Sequence, residues 1–251
     1  MGKYVLYDED GSIGYITLNR PDKMNALSLD VLEELRNTIN RVAGERRVKV
    51  VILKGAGKCF STGHDLKELL ESPEKVERIF NTCMDVMKGI RSAPQAYIAC
   101  VHGYALAAGC QLVAACDLAV ASEDALFGLP GIRLGLFCFT PTAVVSRCIG
   151  AKRAFELAFT GEYVDAEKAL EWGLVNRVVP RDKIEEEARS LAEKIARFEL
   201  NVIERGKRFF YRQLDMSFDM ALEYATKSIV LYAGYKEAVE GIKKFFEKKT
   251  K

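Results

Sequence analysis

Three side chains that could do chemistry together fall within five residues: Ser61, His64 and Asp65, in the stretch CFSTGHDLKEL (59–69). A serine, an imidazole and a carboxylate are the parts of a nucleophilic triad, in which the serine oxygen meets one ring nitrogen and the acid holds the other. Such residues ordinarily converge from separate parts of a fold. Here Asp65 abuts His64 and only Thr62 and Gly63 separate Ser61 from the ring, so a linear arrangement is hard to build and no local triad is expected. The backbone offers more. Gly63 permits an unusual turn, and Asp65 followed by Glu68 has the spacing of a helix N-cap with its capping-box acid. The amides near His64 would then stand at a helix start, where the dipole favours negative charge. The other histidine, His102, ends a predicted strand and reads as structurally satisfied.

A second place of this kind is GYALAAGCQLVAACD (103–117), where a strand turns through small residues into a helix from about Ala107. Small side chains let a ligand approach the backbone closely. Two helix-start amides from different loops could together hold a carbonyl oxygen that becomes negative, an oxyanion hole. Spacing alone does not establish that pairing. The seven cysteines, at 59, 83, 100, 110, 116, 138 and 148, never form a C-x-x-C pair, which disfavours both zinc and a secreted disulfide framework. Reduced, buried thiols in a cytoplasmic protein are expected, with no metal site.

The elements that must position these residues alternate in type. Tyr4–Tyr7 and Ile13–Leu18 read as a hairpin across Asp8-Glu9-Asp10-Gly11. Ser28 is placed to cap a helix whose face carries Leu32, Leu35, Ile39 and Val42, and an apolar strand follows over Val48–Leu53. The middle repeats this order: a helix through Ile79, Cys83 and Val86, a strand Tyr97–Val101, the helix from Ala107 and a strand Leu118–Ala121. Such alternation predicts an α/β fold with largely parallel pairing. Beyond Thr140 helices dominate, broken by a strand Val175–Val179. Two apolar stripes, Leu222, Ala225, Ile229, Tyr232 and Tyr235, Val239, Ile242, Phe246, need a surface to cover.

Size and charge narrow the function. A chain of 251 residues, 49% hydrophobic, can bury the core of one α/β domain. Lys and Arg number 37 against 35 acids, so there is no global pull toward nucleic acid or an anionic membrane. The longest apolar stretch, Tyr104–Ala121, is interrupted by Gln111 and Asp117, and the N-terminal residues lack a signal pattern; no membrane partner is expected.

The segments ITLNRPDKMNALS, CFSTGHDLKEL, GYALAAGCQLVAACDLAVAS, FGLPGIRLG, FTGEYVDAEKALEWGLVNRVVP and EAVEGIKKFFEKK, in this order from about residue 4 to 249, resemble the enoyl-CoA hydratase/isomerase family, the crotonases. The resemblance implies a core of repeated β-β-α units over residues 1–195 with an acyl-CoA site, and a helical region over 196–251 for subunit contacts in homotrimers or homohexamers. It implies a coenzyme A thioester as substrate, with no permanently bound cofactor, and places the oxyanion hole at the backbone N–H groups of His64 and Ala108. Lys23, Met24, Asn25 and Ala26, with His64, Asp65, Leu66 and Lys67, match the walls that bind CoA. Lys243, Lys244 and Lys248 are candidates for its phosphates, across a subunit boundary.

The chain departs from that family where its hydratases carry two glutamates. Gln111 stands at the first position and Gly131 at the second, and this pairing resembles a subgroup that lacks both acids. Gln111, three residues after Ala108 on a helix, is expected to point into the site. An amide can orient water but does not titrate near neutral pH, so it is no general acid or base. Gly131 is expected to supply only space. Ordinary hydration is therefore unsupported, and enzyme activity is left open beside a non-catalytic acyl-CoA-binding role. Cys138 or Cys110 near His64 offers a thiolate pair as a substitute, against the plainer reading of buried, inert thiols.

Overall fold

Val5–Asp10 (β1) and Ile13–Leu18 (β2) form an antiparallel hairpin whose register pairs Asp8 with Tyr15 and Asp10 with Ile13. The three acids expected in the turn therefore belong to the strand, and the connection shrinks to Gly11 and Ser12 with Gly11 at φ 59°. The computed structural model describes residues 2–249. After the hairpin come α1 (Leu29–Glu45), β3 (Val50–Gly55), α2 (Pro73–Ser92), β4 (Ala96–Val101), β5 (Tyr104–Leu106), α3 (Ala108–Ala115), β6 (Leu118–Ser122) and β7 (Leu126–Gly128). The chain continues through α4 (Phe139–Ile149), α5 (Ala151–Thr160), β8 (Tyr163–Asp165), α6 (Ala166–Trp172), β9 (Arg177–Val179), α7 (Ile184–Ala196), α8 (Leu200–Gln213), α9 (Phe218–Ala233) and α10 (Lys236–Lys249).

The larger sheet runs in the order β1-β2-β3-β4-β6-β9 and is parallel from β2 onward. Because side chains alternate across a strand, Val51 and Leu53 pack with α1 and α2 while Val50 and Ile52 pack with Ile184, Ala188 and Ala192 of α7. Both faces are covered, which is why β3 and β4 read as unbroken apolar runs. The Ser28 cap is made, its hydroxyl accepting from the Val31 amide, and Leu32, Leu35, Ile39 and Val42 are buried as the stripe predicts.

A second, three-stranded sheet, β5-β7-β8, lay beyond the reach of the pattern because its strands are three residues each. Ser61 joins its edge through a parallel bridge to Ala105. Each strand of the β3, β4 and β6 series is thus followed by a short piece of the second sheet and then a helix, the β-β-α repeat in physical form.

Helix α8 is moored to this core by Lys207, whose ammonium pairs with Asp117 at 2.8 Å and donates to the carbonyls of Ile90 and Gln95. Tyr211 donates its hydroxyl to the other Asp117 oxygen, and the Tyr97 amide donates to the first. Beyond this mooring, α9 and α10 leave Phe218, Ile229, Val230 and Ile242 more than half exposed. Removing one partner of a buried, hydrogen-bonded ion pair leaves the other uncompensated. Lys207→Ala is accordingly expected to lower unfolding free energy by about 3 kcal/mol, measured by urea titration followed by circular dichroism; a loss under about 0.5 kcal/mol would mean that the pair behaves like a surface one.

Candidate functional site

The first wall is a turn held in an unusual shape. Met24 and Asn25 both adopt left-handed backbone, each with φ 52°. The buried Asn25 side chain fixes that geometry, accepting from the Arg20 amide and donating to the carbonyls of Ala56 and Cys59, all within 2.9 Å. Arg20 then reaches across to Asp65 at 2.8 Å and ties this turn to the next loop.

That next loop is not a helix start. Residues 68–70 make only a single 3-10 turn, and Glu68 does not reach back to Asp65; its carboxylate accepts from the Leu29 amide of α1 and pairs with Lys75. The predicted capping box and its dipole are thus absent, because Glu68 caps the neighbouring helix instead. Asp65 accepts from the Lys67 amide at 3.2 Å, holding a local turn. Ser61 is fully buried, with its hydroxyl donating to Asn25 and accepting from Gly63, so it is a structural linker with no path to substrate.

The loop at 61–64 lies against the entry to α3. A Cβ added at Gly63 would stand 2.9 Å from the Leu106 oxygen and 3.1 Å from the Ala108 nitrogen, and one at Gly109 would stand 2.3 Å from the Ser61 oxygen. Ala107 turns the chain with φ 49° and ψ −116°, a conformation costing on the order of 1–3 kcal/mol, and its amide is held by Gly128 of β7. Among the described residues the amides of His64 and Ala108 donate to no carbonyl or side chain. The two N–H groups named in sequence are therefore neighbours and both unengaged.

Beside them opens a cavity of about 680 Å³. Its walls come from Lys23 and Ala26, from 64–67, from Ala107 and Ala108, and from Pro130 to Pro141. The His64 ring lines it, meets Phe80 edge-on with centroids 4.8 Å apart, and has no hydrogen-bond partner at either nitrogen. Burial pushes this imidazole down to about 4, so it is neutral at pH 7. His102 contacts the Gly57 carbonyl at 3.1 Å, as a structural ring would.

Not every expected site residue lines this cavity. Met24 and Asn25 shape the turn but do not line the cavity. Gln111 is 3% exposed, is not among the residues lining the cavity and leaves its carbonyl oxygen without a donor. Cys110 is also away from the cavity, and burial raises its thiol to about 12, against a thiolate there. Lys243 and Lys244 are exposed on α10, outside the cavity within this chain, and the side chain of Lys248 lies outside the described residues. Phe80, Leu134, Leu136 and Phe137 also line the cavity, and nothing in the sequence marked Phe80 as a site residue.

The family profile for enoyl-CoA hydratase/isomerase matches residues 8–251. The chain belongs to the enoyl-CoA hydratase/isomerase family. Enoyl-CoA hydratase domain-containing protein 3, mitochondrial, from Rattus norvegicus is 43% identical over 96% of this chain and 81% of its own length. The Homo sapiens protein of that name is 42% identical over 93% and 78%. The crystal structure of the human protein superimposes with a TM-score of 0.95 at 40% identity, covering 98% of both chains. That of an enoyl-CoA hydratase from Mycobacterium smegmatis gives 0.94 at 42% identity, over 98% and 96%. The fold is thus the crotonase fold of this family. The names also overturn the cytoplasmic location expected from the cysteines, since the rat and human relatives are mitochondrial proteins. Reduced thiols report a reducing environment and do not say which compartment supplies it.

Against this enoyl-CoA hydratase/isomerase background, Gly131 does not supply the empty space expected. A Cβ there would meet the Cys138 sulfur at 2.8 Å and the Leu136 oxygen at 3.2 Å. The Gly131 amide donates to that sulfur at 3.3 Å, and burial raises the Cys138 thiol above its ordinary value. A side chain at 131 would run into that sulfur unless the thiol swung aside. Gly131→Glu alone is expected to destabilise the protein by about 1–3 kcal/mol through overpacking, and Cys138→Ala in the same chain to recover at least half of that loss. Additive effects in this double-mutant cycle, read by denaturant unfolding, would show the two positions to be independent.

The His64 shift has a definite sign. Below about pH 6.5 the unfolded chain binds a proton on this ring, while the folded chain does not until about pH 4. Native stability is therefore lost as pH falls through that window and is unaffected above it. Comparing wild type with His64→Gln across pH 4–7 isolates the ring: its contribution is expected to fall by on the order of 2–3 kcal/mol, and parallel stability curves for the two proteins would contradict the burial.

Proposed function

We propose that this chain binds acyl-CoA thioesters, with the thioester oxygen held by the amides of His64 and Ala108. The observation that carries this reading is the pair of adjacent, unengaged N–H groups at the wall of a largely apolar cavity. Fixed donors aimed at an oxygen that becomes negative are worth about 2.7–4 kcal/mol each in barrier. Such a hole serves any reaction passing through a thioester enolate. Lys23 and Lys67, exposed at the rim, suit the anionic part of CoA, and no permanently bound cofactor is called for.

Within the lyase and isomerase chemistry of fatty acid metabolism, ordinary hydration is the member least supported. Among the described residues the cavity offers no free carboxylate: Asp65 is held by Arg20, Gln111 and Gly131 carry no acid, and His64 is a weak base. This same observation favours a second reading, a non-catalytic acyl-CoA binder that serves regulation. We also propose that residues 196–251 supply subunit contacts in a homotrimer or homohexamer, a role supported by the exposed apolar residues of α9 and α10.

Calorimetry with a thioester and with the matching thioether, which lacks the carbonyl oxygen, tests the hole directly. The thioester is expected to bind about tenfold tighter, as one to two added hydrogen bonds would give; equal affinities would remove the amides from the site. Deuterium uptake at the acyl α-carbon in heavy water, above that of free thioester, separates the catalytic reading from the binding one.

A further inference from the structure

The rim of the cavity changes character along its length. Where the 20–26 turn meets 64–67 it carries the two lysines, Lys23 and Lys67. Where the 130–141 segment forms it, Leu134, Leu136 and Phe139 line the opening while remaining 60%, 51% and 74% exposed. From there a ladder of aromatic rings leads onto α5. Phe139 meets Phe137 with centroids 5.0 Å apart, Phe137 meets Phe159 at 4.9 Å, and Phe159 stacks on Phe155 at 3.8 Å with planes 10° apart. Phe137 and Phe139 belong to the cavity wall, whereas Phe155 and Phe159 lie beyond it, 59% and 47% exposed.

An apolar tract that begins inside a cavity and continues over the surface is matched to an occupant that does the same. We infer that this tract, from Leu136 and Phe137 to Phe159 and Phe155, binds the hydrocarbon tail of a long-chain acyl thioester. The inference rests on the acyl-CoA reading above and names its substrate class. A thioester fixed by the His64 and Ala108 amides has two arms, one anionic and one apolar. The lysines suit the anionic arm, which leaves the Leu134–Phe139 opening as the exit for the other. A four-carbon acyl group would end within the cavity and leave the ring ladder in water. A chain long enough to follow the ladder buries methylenes against rings already in place, at no cost in ordering them.

The test is a titration series of saturated acyl-CoA thioesters from four to sixteen carbons, each below its micelle concentration, against wild type and against Phe155→Ser/Phe159→Ser. Both substitutions replace exposed rings, so the fold is expected to survive, with circular dichroism as the check. In wild type, Kd is expected to fall about two- to fourfold per added methylene until the chain outgrows the tract. The double variant is expected to keep wild-type affinity for the four-carbon thioester and to lose the gain at twelve carbons and beyond. A Kd independent of length, or a variant that matches wild type at every length, overturns the inference while leaving the acyl-CoA reading intact. A variant that changes the mass measured by light scattering but not long-chain affinity assigns the ladder to a second copy of the chain and overturns it equally. If no thioester of any length binds, the acyl-CoA reading itself falls.

Discussion

The peptide backbone at Ser61–Gly63 lies so close to that at Leu106–Gly109 that neither Gly63 nor Gly109 has room for a Cβ, and the rest of the site depends on this approach. It is set by the small sheet, through the Ser61–Ala105 bridge and the Leu106 amide donating to Ser61 at 3.0 Å. With the two strands so close, the chain must turn sharply at Ala107 to enter α3, which explains a strained alanine where glycine would be relaxed. The strain is held by the Gly128 carbonyl on the next strand of the same sheet. The larger sheet supplies the stability that keeps these pieces in place, and the smaller one supplies the geometry.

Electrostatics at the site is governed by what has been neutralised. Asp65 is consumed by Arg20, His64 is kept uncharged by burial, and the Cys138 thiol is raised by its surroundings. What remains near the two amides is a set of fixed backbone dipoles in an apolar enclosure, where each counts for more than it would in water. Under the proposed acyl-CoA reading, such an environment suits holding a developing negative charge on oxygen better than delivering or removing protons.

Much of the larger sheet and its helices could be read from sequence, because buried parallel strands are continuous apolar runs and α1 has both its stripe and its Ser28 cap. The small sheet could not, since three-residue strands carry no period. Glu68 misled for a different reason: its spacing from Asp65 is that of a capping box, but a carboxylate serves whichever orphan amide it reaches, and Leu29 was nearer in space though distant in sequence. Gln111 has the helical spacing from Ala108 and yet is not among the residues that line the cavity. Spacing gives the face of a helix, while neighbouring helices decide whether that face meets a cavity or packed side chains. The positions of the two amides were legible only through family resemblance. Their adjacency is a property of backbone packing that no side-chain pattern records.

The contact between Gly131 and the Cys138 sulfur couples the two positions. A side chain at 131 and a thiol at 138 can share this corner only if the sulfur swings aside, so a smaller residue at 138 eases the entry of a larger one at 131. What a position admits is thus set partly by its neighbour's size, with the backbone around both left as it is.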